Sequence, residues 1–297
     1  MIGLELEDAR AIAVRIDERG AVQARAAVDS AKGDLVAAAK KAIDTVAPSG
    51  GDAGAIGVAA AIPDAPAVAA VIAALAPRFG GGLASQGAMP SGLAAAVAEA
   101  WVGAARGVQD VVYFSCGDHT MAGVIRAGAP VFGTRGRAAS VAWLALNPVE
   151  REDYRKTGCL EAEVAAAGIV RRLVWRVKSG DRSRVADAVN GEFAAITAQH
   201  ILDGARNNDG VSISVIRDTA KYLGMAAANL VAVADPEMLV LGGIIASAAD
   251  LLLEPMRAEI GRRLPKPMMD ALTIQAATLG EDAAAIGAAR LVSPALR

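Results

Sequence analysis

The chain opens with short apolar runs separated by acidic turns. Ile2–Leu6, Ala11–Ile16 and Ala21–Val28 are the runs; Glu7-Asp8 fills the first break and Asp17-Glu18-Arg19-Gly20 the second. Runs this short between turn residues predict three strands, and Gly20 can take the positive φ that the second turn needs. The period then changes. Lys32–Val46 predicts a helix ended by Pro48 and Gly50-Gly51, followed by a buried strand at Ala55–Ala60 and a helix at Ala67–Leu75. Gly80-Gly81-Gly82 marks a loop, and Ser91–Ala105 a long helix with Ser91 as its N-cap. From Asp110 the order starts again: Val111–Cys116 and Gly123–Arg126 form a hairpin, with Ala129–Phe132 as a third strand. Helices follow until a strand at Met238–Leu241, a second at Leu272–Ala276 and a last helix at Asp282–Leu291. Three antiparallel strands and then alternating helices and strands, twice over, predict an α/β protein of two related lobes, each a mixed sheet flanked by helices.

Composition narrows the classes. Hydrophobic residues make up 54% of the chain but aromatics only 3%, so the core comes from close packing of small residues. A net charge of −2 argues against a nucleic-acid footprint. The basic cluster Arg171, Arg172, Arg176, Lys178, Arg182 and Arg184 reads as a solvated helix face. Cys116 and Cys159 are too few for a disulfide framework. The window Ala53–Leu75 is interrupted by Pro63, Asp64 and Pro66 and does not read as a membrane span, and the acidic N-terminus is not that of a signal peptide. The expectation is a soluble, cytoplasmic protein with no membrane partner.

The stretch from Asp218 to Leu291 is the most informative. A helical run, Ala220–Ala232, leads through Asp235-Pro236 into the strand, which breaks at Gly242-Gly243, and Gly280–Ala289 opens the final helix. A strand that stops at paired glycines lets a ligand approach the backbone closely. Together with Gly158-Cys159-Leu160-Glu161 and the run Ala94–Trp101, this order resembles the ROK family (repressors, open reading frames and sugar kinases) of the actin-like ATPase superfamily. The resemblance covers almost the full chain. It implies a two-lobed actin-like ATPase (ribonuclease H-like) fold, with lobes at residues 1–108 and 109–281, and residues 282–297 packing back on the first. It also implies a homodimer.

Kinases of that family hold ATP phosphates on two glycine-rich turns. The first, Asp-x-Gly-Gly-Thr, corresponds here to Glu5-Leu6-Glu7-Asp8-Ala9. Glu5 keeps a carboxylate, but Glu7 and Asp8 replace both glycines, adding charge that repels a triphosphate and Cβ atoms that block it. A plain solvated turn is the other reading. The second turn keeps only its outer glycines, Gly117 and Gly123; Asp118-His119 inside it is either an acid–base pair or a loop histidine with no task. The family's general base, an aspartate ahead of the alanine-rich run, falls on Ser91, which has no pKa near neutrality. Its sugar-binding Glu-x-Gly-His falls on Ser140 and Trp143. Glu161 is the sugar contact retained, a helix-start charge being its other role. Of four zinc ligands only Cys159 remains, so no zinc is expected and Cys159 reads as a small buried hydrophobe. Gly242, Gly243 and the Gly287 helix survive on the adenosine side, where close packing explains them equally.

Base, phosphate turns, sugar glutamate and zinc ligands are lost together. This pattern favours a sugar-kinase-like protein without catalytic residues, a ligand-binding or regulatory scaffold for a sugar or other small molecule, with no cofactor. The alternative is an active, glucokinase-like sugar kinase that uses ATP and Mg with relocated carboxylates such as Glu5, Asp8 or Asp118. Repressors of the family carry a helix-turn-helix ahead of the first strand; with that strand starting at Ile2, direct DNA binding is not expected.

Overall fold

The computed structural model describes residues 1–47, 55–80, 83 and 87–293. The helix stop expected at Pro48 and Gly50-Gly51 and the loop glycines Gly81-Gly82 lie outside the described residues. The first sheet begins as an antiparallel meander of β1 (Ile2–Leu6), β2 (Arg10–Ile16) and β3 (Val22–Asp29), with Gly20 at φ 85° in the second turn. β4 (Ile56–Ala60) runs parallel to β1 and β5 (Met89–Pro90) parallel to β4, giving the order β3-β2-β1-β4-β5. β6 (Val111–Cys116), β7 (Thr120–Arg126), β8 (Ala129–Pro130), β9 (Met238–Gly243) and β10 (Thr273–Ala276) form the second sheet in the order β10-β9-β6-β7-β8. Both sheets thus read third-second-first-fourth-fifth in their own strand count. The repeat suggested by the sequence is a repeat of topology. β8 stops at Pro130, short of the expected Phe132, which is exposed.

The chain divides into two compact units. One comprises Met1–Tyr113, Ala122–Ala139 and Ala277–Arg297; the other comprises Phe114–Met121 and Ser140–Ala276. In the first unit β1 and β4 are buried at every position, because helices cover both faces of the sheet. Leu4, Ala11 and Val58 pack toward the helices Leu35–Val46 and Pro66–Phe79. On the other face Ile12 and Val14 meet Ala98, Ala285, Ile286 and Ala289 from the helices Ser91–Val102 and Ala283–Leu291.

Glu99 ties this second layer together. It is fully buried, and its carboxylate accepts from the backbone N–H of Ala104 (2.7 Å), Thr278 (2.9 Å) and Leu279 (2.9 Å). A carboxylate with three backbone donors is satisfied without a cation. Glu99→Gln replaces one acceptor oxygen by an NH₂ facing an N–H, so a loss of about 2 kcal/mol in urea denaturation is expected. An unchanged midpoint would show that the three bonds contribute nothing net.

In the second unit, the 25-residue helix Gly210–Ala234 is started by Asp209, whose side chain accepts from Ser212 N–H at 2.8 Å. It ends where Asp235 turns left-handed ahead of Pro236. Its buried Leu223, with Ile169, Leu173, Leu239 and Leu241, belongs to the largest fully buried side chains of the protein. Among the described residues, no helix is long and apolar enough to cross a membrane.

Candidate functional site

β1 carries Glu5 inward, and the turn after it leaves Glu7 and Asp8 exposed. Glu5 is 7% exposed, and its pKa is pushed from the ordinary 4.5 to about 8. Burial is the main cause; the Ser91 hydroxyl and Arg10 oppose it, while the Glu7 and Asp282 charges add to it. Ser91 is not the expected N-cap. Pro90, held extended at φ −61° and ψ 129°, takes that place, and Ser91 becomes the first residue of the helix. Its Oγ is buried and faces Glu5, but among the described residues it makes no hydrogen bond of good geometry. The helix start is driven this deep by its neighbour: a Cβ on Gly92 would lie 2.4 Å from the Ala122 carbonyl oxygen, and one on Gly123 2.3 Å from the Gly92 oxygen. Gly123 therefore has a packing reason to be glycine. At neutral pH this pair offers a neutral carboxylic acid and a hydroxyl.

The turn between β6 and β7 is closed by the Gly117 N–H, which donates to the His119 carbonyl at 2.9 Å. Opposite it, Gly158 at φ 100° approaches the Ala142 carbonyl so closely that a Cβ would sit 2.2 Å from its oxygen. Gly158 starts the helix Cys159–Val164 and so puts Glu161 in its first turn. One Glu161 oxygen accepts from the Thr120 N–H at 2.9 Å and from its hydroxyl at 3.3 Å; the other lies 3.1 Å from His119 Nδ1. Both readings of His119 are thereby corrected. It neither pairs with Asp118 nor stands idle, because its partner comes from a helix 42 residues further on. Glu161 bonds this turn from the start of its helix. A backbone N–H already bonded to a carboxylate is not offered to a phosphate oxygen.

The strand ends frame this turn. Gly243 packs on β6, where a Cβ would fall 2.1 Å from the Cys116 carbonyl oxygen, and Gly242 is buried in β9. Gly117 meets no such neighbour; a Cβ there would stand in open space. Cys116 donates through Sγ to the Val164 carbonyl at 3.0 Å, and burial, with the Glu161 charge, pushes its thiol up to about 12. The thiol is inert. Cys159, expected to be the buried cysteine, is only half-buried because it sits at a helix start.

Beyond Glu161 on the same helix, Glu163 lies in a cluster of ion pairs. Glu163, 4% exposed, accepts from Tyr154 Oη at 2.6 Å and from Arg151 Nη1 at 2.8 Å. Arg151 also holds Asp153 (3.1 and 2.6 Å), and Arg171 pairs with Asp153 and donates to the Ala162 carbonyl at 2.7 Å. Arg172 bonds Thr219 and lies 5.9 Å from the Tyr222 ring. Among the described residues no group of three or more His, Cys, Asp or Glu is arranged to hold a metal ion. The reading of the basic cluster is corrected at Arg171 and Arg172, which pair with Asp153 and Glu163, while Lys178, Arg182 and Arg184 are exposed as expected. Ser140 and Trp143 stand exposed on the turn Val141–Trp143, which packs on the helix that carries Glu161. The structure thus joins Glu5 to Ser91 and Glu161 to His119 and Thr120.

Comparison with known proteins finds relatives in sequence and in fold. The glucokinase of Halalkalibacterium halodurans is 31% identical over 200 residues, 67% of this chain and 60% of that protein. The DNA-binding transcriptional dual regulator NagC of Escherichia coli is 28% identical over 202 residues, 68% of this chain and 48% of the regulator. The chain's matches therefore span about half to three fifths of these relatives. A ROK family glucokinase from Streptomyces griseus, solved with glucose and AMPPNP, superimposes with a TM-score of 0.77 at 24% identity, covering 98% of each chain. The two mixed five-stranded sheets are those of the actin-like ATPase fold. A model of the ROK family matches residues 93–295, more than half of the sequence: the chain belongs to the ROK family.

Proposed function

We propose that this ROK protein is sugar-kinase-like in fold but does not transfer phosphate, and that it serves as a ligand-binding or regulatory scaffold for a sugar or other small molecule. The observation that carries this reading is the exposed pair Glu7 and Asp8 in the turn after β1, where a kinase of this fold needs free donors and close backbone approach. A hydroxyl at position 91 points the same way. Relatives that include both a glucokinase and a transcriptional regulator are compatible with a regulatory use. No ATP, magnesium or zinc is required, and a homodimer fits the family. The test is a coupled phosphorylation assay with glucose and related sugars, alongside calorimetry with magnesium-ATP. No turnover and no binding tighter than millimolar are expected; turnover, or a low-micromolar Kd for ATP, overturns the reading.

One observation favours the alternative of an active, glucokinase-like enzyme. Glu5, one methylene longer than aspartate, faces Ser91, the position of the family's base, and its pKa of about 8 suits proton exchange near neutrality. On that reading Glu5→Gln abolishes turnover that the unmodified protein shows.

A further inference from the structure

We infer that the outer edge of β3 is an interface between two copies of this chain, their β3 strands paired antiparallel about a two-fold axis at Ala27. This gives the homodimer proposed above its contact and rests on that reading. The two sheets have four edges, and three of them are short or occupied. β5 and β8 are two residues long each. In β10, Thr273 bonds toward β9, and the carbonyl of the next residue, Ile274, accepts from Arg257 Nη2 at 2.9 Å. β3 is eight residues long and, among the described residues, pairs with β2 alone. The Ser30 N–H donates to the Ala9 carbonyl, so along this antiparallel ladder Val28, Ala26 and Ala24 turn their backbone groups toward β2. Asp29, Ala27 and Arg25 turn theirs outward, and no described residue bonds to them. Such a row is a template for another strand, and neither proline nor lysine interrupts it.

The strand is complementary to itself, which selects a second copy as the occupant. Arg15 pairs with Ala24 and Ile16 with Val22, so Gln23 is bulged and the regular ladder ends there. The turn at Ser30 ends it on the other side. The open stretch is therefore Arg25–Asp29, and its midpoint is Ala27. A two-fold axis at that point sets Arg25 opposite Asp29 of the partner subunit, once on each side of the axis. Asp29 already lies across from Arg10 in β2, so charges alternate in sign from strand to strand across the junction. Arg25 Nε also holds Asp282 of its own chain at 2.7 Å, which fixes the guanidinium beside the strand. A register centred on Arg25 would oppose like charges, and one centred on Ala26 would use the bulged Gln23. On the other face of the sheet, Ala24, Ala26 and Val28 would lie beside their own counterparts. The helix Leu35–Val46 covers β2 and β3 on that face, so the two copies of it would stand about 10 Å apart, a normal distance for packed helices.

The experiment measures the mass of the full chain by analytical ultracentrifugation over a range of concentrations, where a dimer is expected. Ala27→Pro removes an outward N–H and none of the bonds to β2, so it should abolish the dimer with an unchanged circular dichroism spectrum. Asp29→Arg, which sets two arginines opposite each other, should raise the dimer dissociation constant by at least about tenfold. Ala27→Cys decides the point even where proline disturbs the strand. Under a mild oxidant it should give a disulfide-linked dimer that neither the unmodified protein nor Gln23→Cys gives. A dimer that Ala27→Cys does not link and that Asp29→Arg leaves unchanged is made elsewhere on the chain, and overturns this contact alone. A monomer at every concentration overturns the contact and the homodimer reading together.

Discussion

Gly287→Ala is expected to destabilise the protein by about 4 kcal/mol, although it adds one methyl group. The C-terminal helix Ala283–Leu291 approaches its neighbours at backbone distance. A Cβ on Gly287 would lie 1.7 Å from the Ala94 carbonyl oxygen, and on the sheet side Cβ atoms on Gly3 and Gly57 would lie 1.8 and 2.0 Å from the oxygens of Ala285 and Ala288. None of these obstacles is the far end of a flexible side chain, so the helices and strands have to move apart. Moving them opens the layer in which Ala98, Ala285 and Ala289 pack. Gly261 is the control: it ends the helix Ala249–Gly261, and a Cβ there would meet nothing within 4 Å. Gly261→Ala should therefore be neutral or stabilise by up to about 1 kcal/mol through helix propensity. Urea denaturation of both variants decides the point; equal midpoints would mean that the close approach is not tight.

That contrast also shows what a sequence conceals. Nine of the ten strands described, all but Met89–Pro90, and the doubled order were legible because strand runs are short and apolar and turns are marked by Glu7-Asp8, Asp17–Gly20 and Gly242-Gly243. The reason for the alanine and glycine content was not. Periodicity identifies an apolar face, but whether that face accepts a side chain or only a hydrogen depends on the partner element, which for Gly3 and Gly57 lies more than two hundred residues away.

The candidate site was legible in its residue types and illegible in its pairings. Gly158-Cys159-Leu160-Glu161 identified Glu161, and the glycine landmark made its helix start recognisable. That its carboxylate bonds Thr120 and His119 depends on how two distant segments meet, and neither segment encodes the other. Adjacent Asp118 and His119 suggested a pair, yet neighbours on a turn point apart. Likewise the basic run on the helix Ala166–Lys178 looked solvated because the acid it faces, Glu163, precedes the helix. The Ser91 N-cap failed for a local reason: proline before it already supplies the extended entry, which frees the hydroxyl to face Glu5.

Glu5→Gln is expected to stabilise the protein at pH 8.5 by about 4 kcal/mol and to leave it unchanged near pH 4.5. The folded-state pKa of Glu5 is raised, chiefly by burial, from 4.5 to about 8. Below pH 4.5 the carboxyl is protonated in both the folded and unfolded chain, and the acid costs nothing. Between the two values the unfolded chain ionises first, so rising pH draws the equilibrium toward unfolding, by about 1.4 kcal/mol per unit. Stability is therefore lost from pH 4.5 up through pH 8 and levels beyond it. Glutamine has the shape of the neutral acid and no proton to lose, so the variant lacks this decline. Denaturation at several pH values should show the two proteins diverging across that window; parallel curves would mean that Glu5 is ionised at neutral pH like an ordinary carboxylate. The same titration bears on function. If the protein phosphorylated a sugar with Glu5 as proton acceptor, turnover would rise through pH 8 as the carboxylate formed, while stability fell over the same interval. A Glu5 titration near pH 8 seen in stability, with no turnover at any pH, is the outcome that a scaffold requires.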